Sequence, residues 1–294
     1  MRPQAVNTGS AAAPRLRCDM NAVTLLNPGR NWSGPRPGDD LAAALIAAGY
    51  EGLQDHAPRR RILAAGLAMT GSARMTEPHE ARGIAQRHRD FGFQATTLHV
   101  GQGLETDREA GRLAEAVLEA GETSAYPLFI ETHRATITQD IRRTLDLTST
   151  FPELRFNLDL AHWVTGHELA YGDTEAKIDA LTPVLERARF VHGRISNAGA
   201  IQLGAPFAGR HAEPFRVMWT RSFAGFLASA SPGDEIVFAP ELPPISAVIA
   251  GQLHHFDYAS PGPDGEEAGD RWADALALCQ VARACFAAAQ ESRP

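Results

Sequence analysis

The sequence predicts an α/β chain of the (β/α)8 barrel class, and three observations carry that expectation. Short apolar runs alternate with helical stretches along the chain, giving eight candidate strands. The runs are continuously apolar, as strands buried on both faces require. Four runs from residue 128 onward, LFIE, FNLD, FVH and IVFAPE, end in the metal-binding side chains Glu131, Asp159, His192 and Glu241. That is the strand end where α/β barrels carry their sites. An open doubly wound sheet is the competing topology.

The elements follow in order. Residues 1–15, MRPQAVNTGSAAAPR, are small and polar with no apolar core of a secretion signal, and are expected to be a flexible lead to a single barrel domain over 16–294. LRCDMNAVTLL reads as a strand, NPGRNWSGPRPG as a loop, and LAAALIAAG as a helix that begins near Asp39 and Asp40 and ends at Gly49. Strands follow in GLQ and in ILAAGLAM, then a helix in EPHEARGIAQRHRDFG and a strand in ATTLHV. Over 107–121 Leu113, Val117 and Leu118 share one face of an amphipathic helix. TITQDIRRTLDLT, TEAKIDALTPVLERA, PFRVMWTRSFAGFLAS and DRWADALALCQVARACFAAA supply the later helices. The Gly/Pro-rich YASPGPDGEEAGD, 258–270, is expected as a loop on the barrel mouth. Trp219, Phe223 and Phe226 have the spacing of a core stripe or of an interface, which leaves a homodimer open.

Composition narrows the function. With 35 acidic against 28 basic residues the chain carries a formal charge of −7, which opposes binding to a phosphate backbone, so nucleic acid is not an expected partner. The three cysteines, Cys18, Cys279 and Cys285, make neither a disulfide framework nor a zinc finger. No stretch is read as a membrane span, and the expectation is a soluble cytoplasmic protein whose partner is a small-molecule substrate.

The four strand-end residues carry the chemistry. One such carboxylate is ordinarily a helix N-cap or half of an ion pair; four in register point to one shared ion. Three carboxylates and an imidazole suit a single divalent Mn2+, Co2+, Mg2+ or Zn2+. On the same rim His133 and Arg134 follow Glu131, His162 stands three residues after Asp159, and His99 ends the fourth strand. Arg194, two residues after His192, faces the same way and is expected to hold a carboxylate, phosphate or enediolate oxygen. Trp32 and Trp163 are expected in loops that open onto the site. His254 and His255, adjacent on a strand, point to opposite faces, so at most one reaches any shared site.

Over roughly residues 16–290 the motifs FIETHR, NLDLAHWV, FVHGR and FAPEL resemble those of the xylose isomerase-like TIM barrels, the superfamily of sugar isomerases and epimerases, inosose dehydratases and metal-dependent AP endonucleases. The resemblance implies a divalent ion on Glu131, Asp159, His192 and Glu241. It also implies that Glu131 and Glu241 flank the substrate and exchange a proton at the carbon beside a carbonyl, with Arg194 and His162 orienting its oxygens. Two departures bear on the reaction. GRISNAGAIQLGAP lacks the extra Asp-x-His of the endonucleases, and QDH (54–56) stands where many epimerases place a glutamate. No Gly-rich turn marks a phosphate site at the last strands. The leading expectation is a metal-dependent isomerase or epimerase of a sugar-like polyhydroxylated carbonyl compound. The alternatives are a lyase or dehydratase on a keto-sugar or keto-inositol, and a non-catalytic metabolite- or partner-binding barrel.

Overall fold

The computed structural model describes residues 4–204 and 209–292. A two-residue strand, β1 (Val6–Asn7), precedes β2 (Arg15–Asn21), β3 (Gly52–Asp55), β4 (Ala68–Met75), β5 (Thr96–Val100), β6 (Leu128–Glu131), β7 (Phe156–Leu158), β8 (Ala188–Gly193) and β9 (Asp234–Pro240). The strands β2 to β9 are parallel, each beside the next, and β9 pairs with both β8 and β2. The sheet is therefore closed, and the open topology is excluded. Helices lie between the strands on the outside, as right-handed βα crossovers require.

The lead expected to be flexible departs from that expectation within its described residues. Val6 and Asn7 pair antiparallel with Glu235 and Asp234, the Thr8 N–H donates to the Gly233 carbonyl at 3.0 Å, and the Gly233 N–H donates to that of Ala12 at 2.7 Å. Val6 is buried with Ala95, Phe129, Phe190, Val237 and Ala239 in an apolar plug. Side chains two apart on a strand share a face, so residues of this plug lie one step below the functional groups: Phe129 precedes Glu131, Phe190 precedes His192, and Ala239 precedes Glu241. The N-terminal end of the barrel holds a buried ion network instead. Arg17 grips Asp19 through Nε and Nη2 at 2.9 and 2.8 Å and reaches Glu235 through Nη1 at 2.6 Å. Gly52 allows the approach, because a Cβ there would lie 2.6 Å from the Asp19 carboxylate.

Four local expectations change. Ala22–Leu25 is a 3-10 turn, capped by Asn21 accepting the Val23 N–H, where the apolar run suggested more strand. The ILAA segment lies in a helix, Arg60–Ala64, and the strand starts only at Ala68. The segment after Asp159 is a helix, Ala161–Gly166. Beyond Glu241 an unforeseen hairpin, β10 (Ser246–Ile249) and β11 (Gln252–His255), leaves both His254 and His255 exposed.

The last two long helices, Ala212–Ser229 and Arg271–Glu291, pack on each other outside β8 and β9. Trp219, Phe223 and Phe226 are core: Trp219 stands edge-on to Phe238 at 5.2 Å and Phe223 to Phe286 at 5.6 Å. Contrary to expectation, Arg271–Glu291 is long and apolar enough for a membrane span, with a mean hydropathy of 1.2. Its apolar side chains Leu278, Cys279, Phe286 and Ala289 are buried against the barrel, which accounts for the composition.

Candidate metal centre

The four strand-end residues converge. Glu131, Asp159, His192 and Glu241 each bring one donor atom to within 4.8 Å of the others. Opposite donors around one ion held by bonds of about 2.0–2.3 Å lie roughly 4–4.6 Å apart, so the spread is that of a single coordination sphere. Glu131 and Asp159 are fully buried, while the Glu241 side chain keeps 18% of its surface. Sequence places them there by strand parity, and Gly193 lets β8 carry two site residues. A Cβ at Gly193 would meet the Phe238 ring at 2.4 Å, so only glycine fits between His192 and Arg194.

His192 is oriented by a residue with no motif. Its Nε2 lies 2.8 Å from Gln54 Oε1, which also accepts from Asn21 Nδ2 at 2.7 Å, while Gln54 Nε2 donates to Thr97 Oγ1 at 2.9 Å. An amide oxygen only accepts, so Nε2 carries the proton and Nδ1 turns to the carboxylates, 3.4 Å from Glu131 and 3.3 Å from Glu241. Asn157 Nδ2 donates to Glu131 Oε2 at 2.9 Å and closes the floor. Gln54 and Asn157 were not read as functional, because an isolated amide on a strand carries no pattern. The sequence QDH nevertheless flagged the place where Gln54 stands.

Charge is concentrated and partly balanced. Arg194, itself buried, pairs through Nη2 with Asp159 and, at 2.9 Å, with Glu241. Burial pushes the Glu131, Asp159 and Glu241 carboxyls up. The imidazoles of His99 and His192 beside Glu131, Arg194 beside Asp159, and His192 with Arg194 beside Glu241 overrule it and hold all three below the usual carboxylate range. Burial likewise pushes His99 and His192 down, and the facing carboxylates raise both above the ordinary imidazole value.

Above this floor the histidines form a stack. His99 Nε2 lies 3.0 Å from Glu131 Oε1, the His133 ring is 4.2 Å from that of His99 and 3.8 Å from that of His162, and His162 Nε2 is 3.4 Å from Asp159. His133 donates through Nδ1 to the Arg134 carbonyl; burial, then the neighbouring His162, pushes it down to about 3, so it stays neutral. Arg134 Nη2 donates to the Tyr258 hydroxyl at 2.7 Å, and the Tyr258 ring lies 4.9 Å from the Arg194 guanidinium. Sequence reading missed Tyr258 as a site residue, although its loop was expected at the mouth. Trp163 and Trp32 are not at the site. Trp163 is fully buried and donates to the Thr138 carbonyl at 2.8 Å, and Trp32 packs edge-on against Trp272 at 5.9 Å. Both indoles fill space behind the loops that were expected to present them.

The residues fit a divalent cation. Counted with neutral imidazoles, the state in which His192 can ligate, three carboxylates and Arg194 leave two negative charges in a buried space, the deficit that one divalent ion removes. Glu131 Oε1 meets only the ring nitrogens of His99 and His192, and His162 Nδ1 is buried without a hydrogen-bond partner among the described residues. Hard oxygen donors with one imidazole favour Mg2+, Mn2+, Co2+ or Zn2+.

No family model matches the chain, and no curated protein matches it. Among solved structures, a xylose isomerase-like TIM barrel protein from Mycobacterium smegmatis in complex with magnesium superposes with a TM-score of 0.51 at 13% identity, over 92% of this chain and 97% of that one. A probable 3-DHS dehydratase from Bacillus anthracis reaches 0.48 at 14% identity, over 77% and 92%. A D-allulose 3-epimerase from Methylomonas sp. reaches 0.47 at 12%, over 95% and 100%. The chain has the fold of the xylose isomerase-like TIM barrels.

Proposed function

We propose that the protein is a divalent-metal-dependent isomerase or epimerase acting on a sugar-like polyhydroxylated carbonyl compound. The observation that carries the reading is the convergence of Glu131, Asp159, His192 and Glu241 at the C-terminal ends of four successive barrel strands, beneath a rim of histidines and arginines. A bound divalent ion would supply electrostatic stabilisation of the oxyanion that forms when the carbon beside a carbonyl loses its proton. The chain's own groups would do the rest. Glu241, the most accessible of the three carboxylates, would take the proton. His99, a quarter exposed and in contact with Glu131, stands on the other side of the cluster and would return it, so Glu131 acts through His99. His162 and His133 wall the space and exclude water.

A lyase or dehydratase reading shares the first step and differs in expelling a leaving group. It is favoured by the neutral Gln54, engaged with His192, at the strand end where many epimerases place a glutamate. A binding-only barrel would be favoured by loss of a ligand, and the four are present. The test is elemental analysis followed by solvent-deuterium exchange into a panel of keto-sugars, starting with Mg2+. About one ion per chain, lost in a Glu131→Ala/Asp159→Ala variant, with deuterium incorporated beside the carbonyl, supports the enzyme. Deuterium-labelled substrate returned as isomer supports the isomerase, and an unsaturated or dehydrated product the lyase. No metal after reconstitution of a folded chain rejects both.

A further inference from the structure

We propose that the substrate carries an anionic group, a carboxylate or a phosphate, and that Arg74 and Arg134 receive it; this rests on reading the buried cluster as the reaction centre. Three arginines at the barrel ends are matched to acids, Arg17 to Asp19 and Glu235, Arg15 to Glu51 and Glu235, and Arg194 to Asp159 and Glu241, while Arg189 on β8 is buried against the Ala188 carbonyl and Ser229. Arg74 and Arg134 differ. Both are exposed at the C-terminal rim, and among the described residues neither has a carboxylate within ion-pairing distance. Glu105, the acid beside Gly101, directs its oxygens to the backbone N–H groups of Gln102 and Gly103 at 2.6 and 2.8 Å.

Both guanidinium groups are held in place by neutral acceptors. Arg74 ends the inward row of β4 and pairs in register with His99 on β5. Its Nη1 donates to the Gly101 carbonyl at 2.8 Å and lies 3.4 Å from that of Ala135, which fixes it across the ends of β5 and β6. Arg134 sits one residue before Ala135, is tethered by the Tyr258 hydroxyl, and lies 5.1 Å from that ring. A guanidinium anchored through one nitrogen keeps its other N–H donors free in a fixed fork, the geometry that carboxylate and phosphate oxygens match. The three carboxylates of the cluster offer an anion no hydrogen-bond donor. These two arginines give an incoming anion a place at the rim and leave its carbonyl end to the cluster below. Arg194, engaged with Asp159 and Glu241, is not available for that task.

The test uses the Mg2+-loaded chain and a calorimetric binding panel of matched four- to six-carbon compounds: sugar acids such as D-gluconate, sugar phosphates, and neutral counterparts such as D-glucitol. Arg74→Gln, Arg134→Gln and the double variant are compared with wild type. The expected result is that at least one anionic class binds at least about tenfold more tightly than its neutral counterparts. Each single variant should then weaken that class about 10- to 100-fold while neutral binding and metal content stay unchanged. Preference for the acids assigns a carboxylate, and preference for the esters a phosphate. Anionic members binding no better than neutral ones, or equally well to the double variant, overturns the inference. Failure of the reaction-centre reading shows separately, as absent metal or absent deuterium exchange, and the same panel run on metal-free protein still reports on the two arginines.

Discussion

Arg194 pairs with two of the residues that the motifs assign to the metal, so its removal acts first on charge. The sequence suggested a guanidinium free for substrate, and hence an Arg194→Ala variant with altered KM or kcat and unchanged metal. The geometry predicts more. Removing one partner of a buried ion pair costs about 3–5 kcal/mol, so Arg194→Ala should lower the stability of the metal-free protein in urea by that order. Added Mg2+ or Mn2+ should recover much of the loss, and a variant as stable as wild type without metal would refute the pairing. Glu241→Gln keeps the shape and leaves Arg194 paired with Asp159, so turnover should vanish while stability falls less than in Arg194→Ala; retained activity would remove Glu241 as the base. Protons complete the picture. Facing carboxylates raise His192 and His99 above the ordinary imidazole value, so both favour the proton when metal is absent, and His192 must release its proton to ligate. Metal affinity should therefore climb with pH and level off above the raised His192 value. Calorimetry in buffers of different ionisation enthalpy should show one to two protons released per ion, as the order of magnitude expected from two histidines. A pH-independent affinity would contradict it.

Strand parity is what the sequence made legible at the level of elements. Apolar runs ending in Glu131, Asp159, His192 and Glu241 announced both the barrel and its chemical rim, because burial on both faces and the 2-residue period are written locally. Gln54 was not legible as the support of His192, since the two meet only when β3 and β8 face each other across a closed barrel. Arg74 had no signal either, lying in AMTGSARM between two unremarkable neighbours. Trp163 misled because aromatic residues near a motif suggest a platform, whereas its indole is fixed to the Thr138 carbonyl behind the wall. Two element-scale changes follow. Gln54→Ala, which frees His192 to turn, should weaken metal binding about 10- to 100-fold with the fold intact; equilibrium dialysis checks it. Gly193→Ala should push a methyl into the Phe238 ring and destabilise by about 1–3 kcal/mol. Trimming that ring in Gly193→Ala/Phe238→Leu should return part of the loss.

At the scale of the whole molecule, a ligand set drawn from β6, β7, β8 and β9 ties half the barrel to one ion, so metal should act as a global stabiliser. A concentration near 100 times the dissociation constant is worth about 2.7 kcal/mol, and a chelator should lower the thermal midpoint reversibly by a few degrees. An unchanged midpoint would mean that no ion reaches the cluster. The closing seam carries a different consequence, in time. β2 finds its partner β9 only through pairs such as Leu16 with Ile236, 220 residues apart in the chain. At roughly 5–20 residues per second of synthesis, the early strand waits about 10–40 s for its neighbour. Glu131 and Asp159 are made well before Glu241, so ion capture on a ribosome must be among the last events, and until then the nascent edge of β2 is the segment that a chaperone has reason to cover.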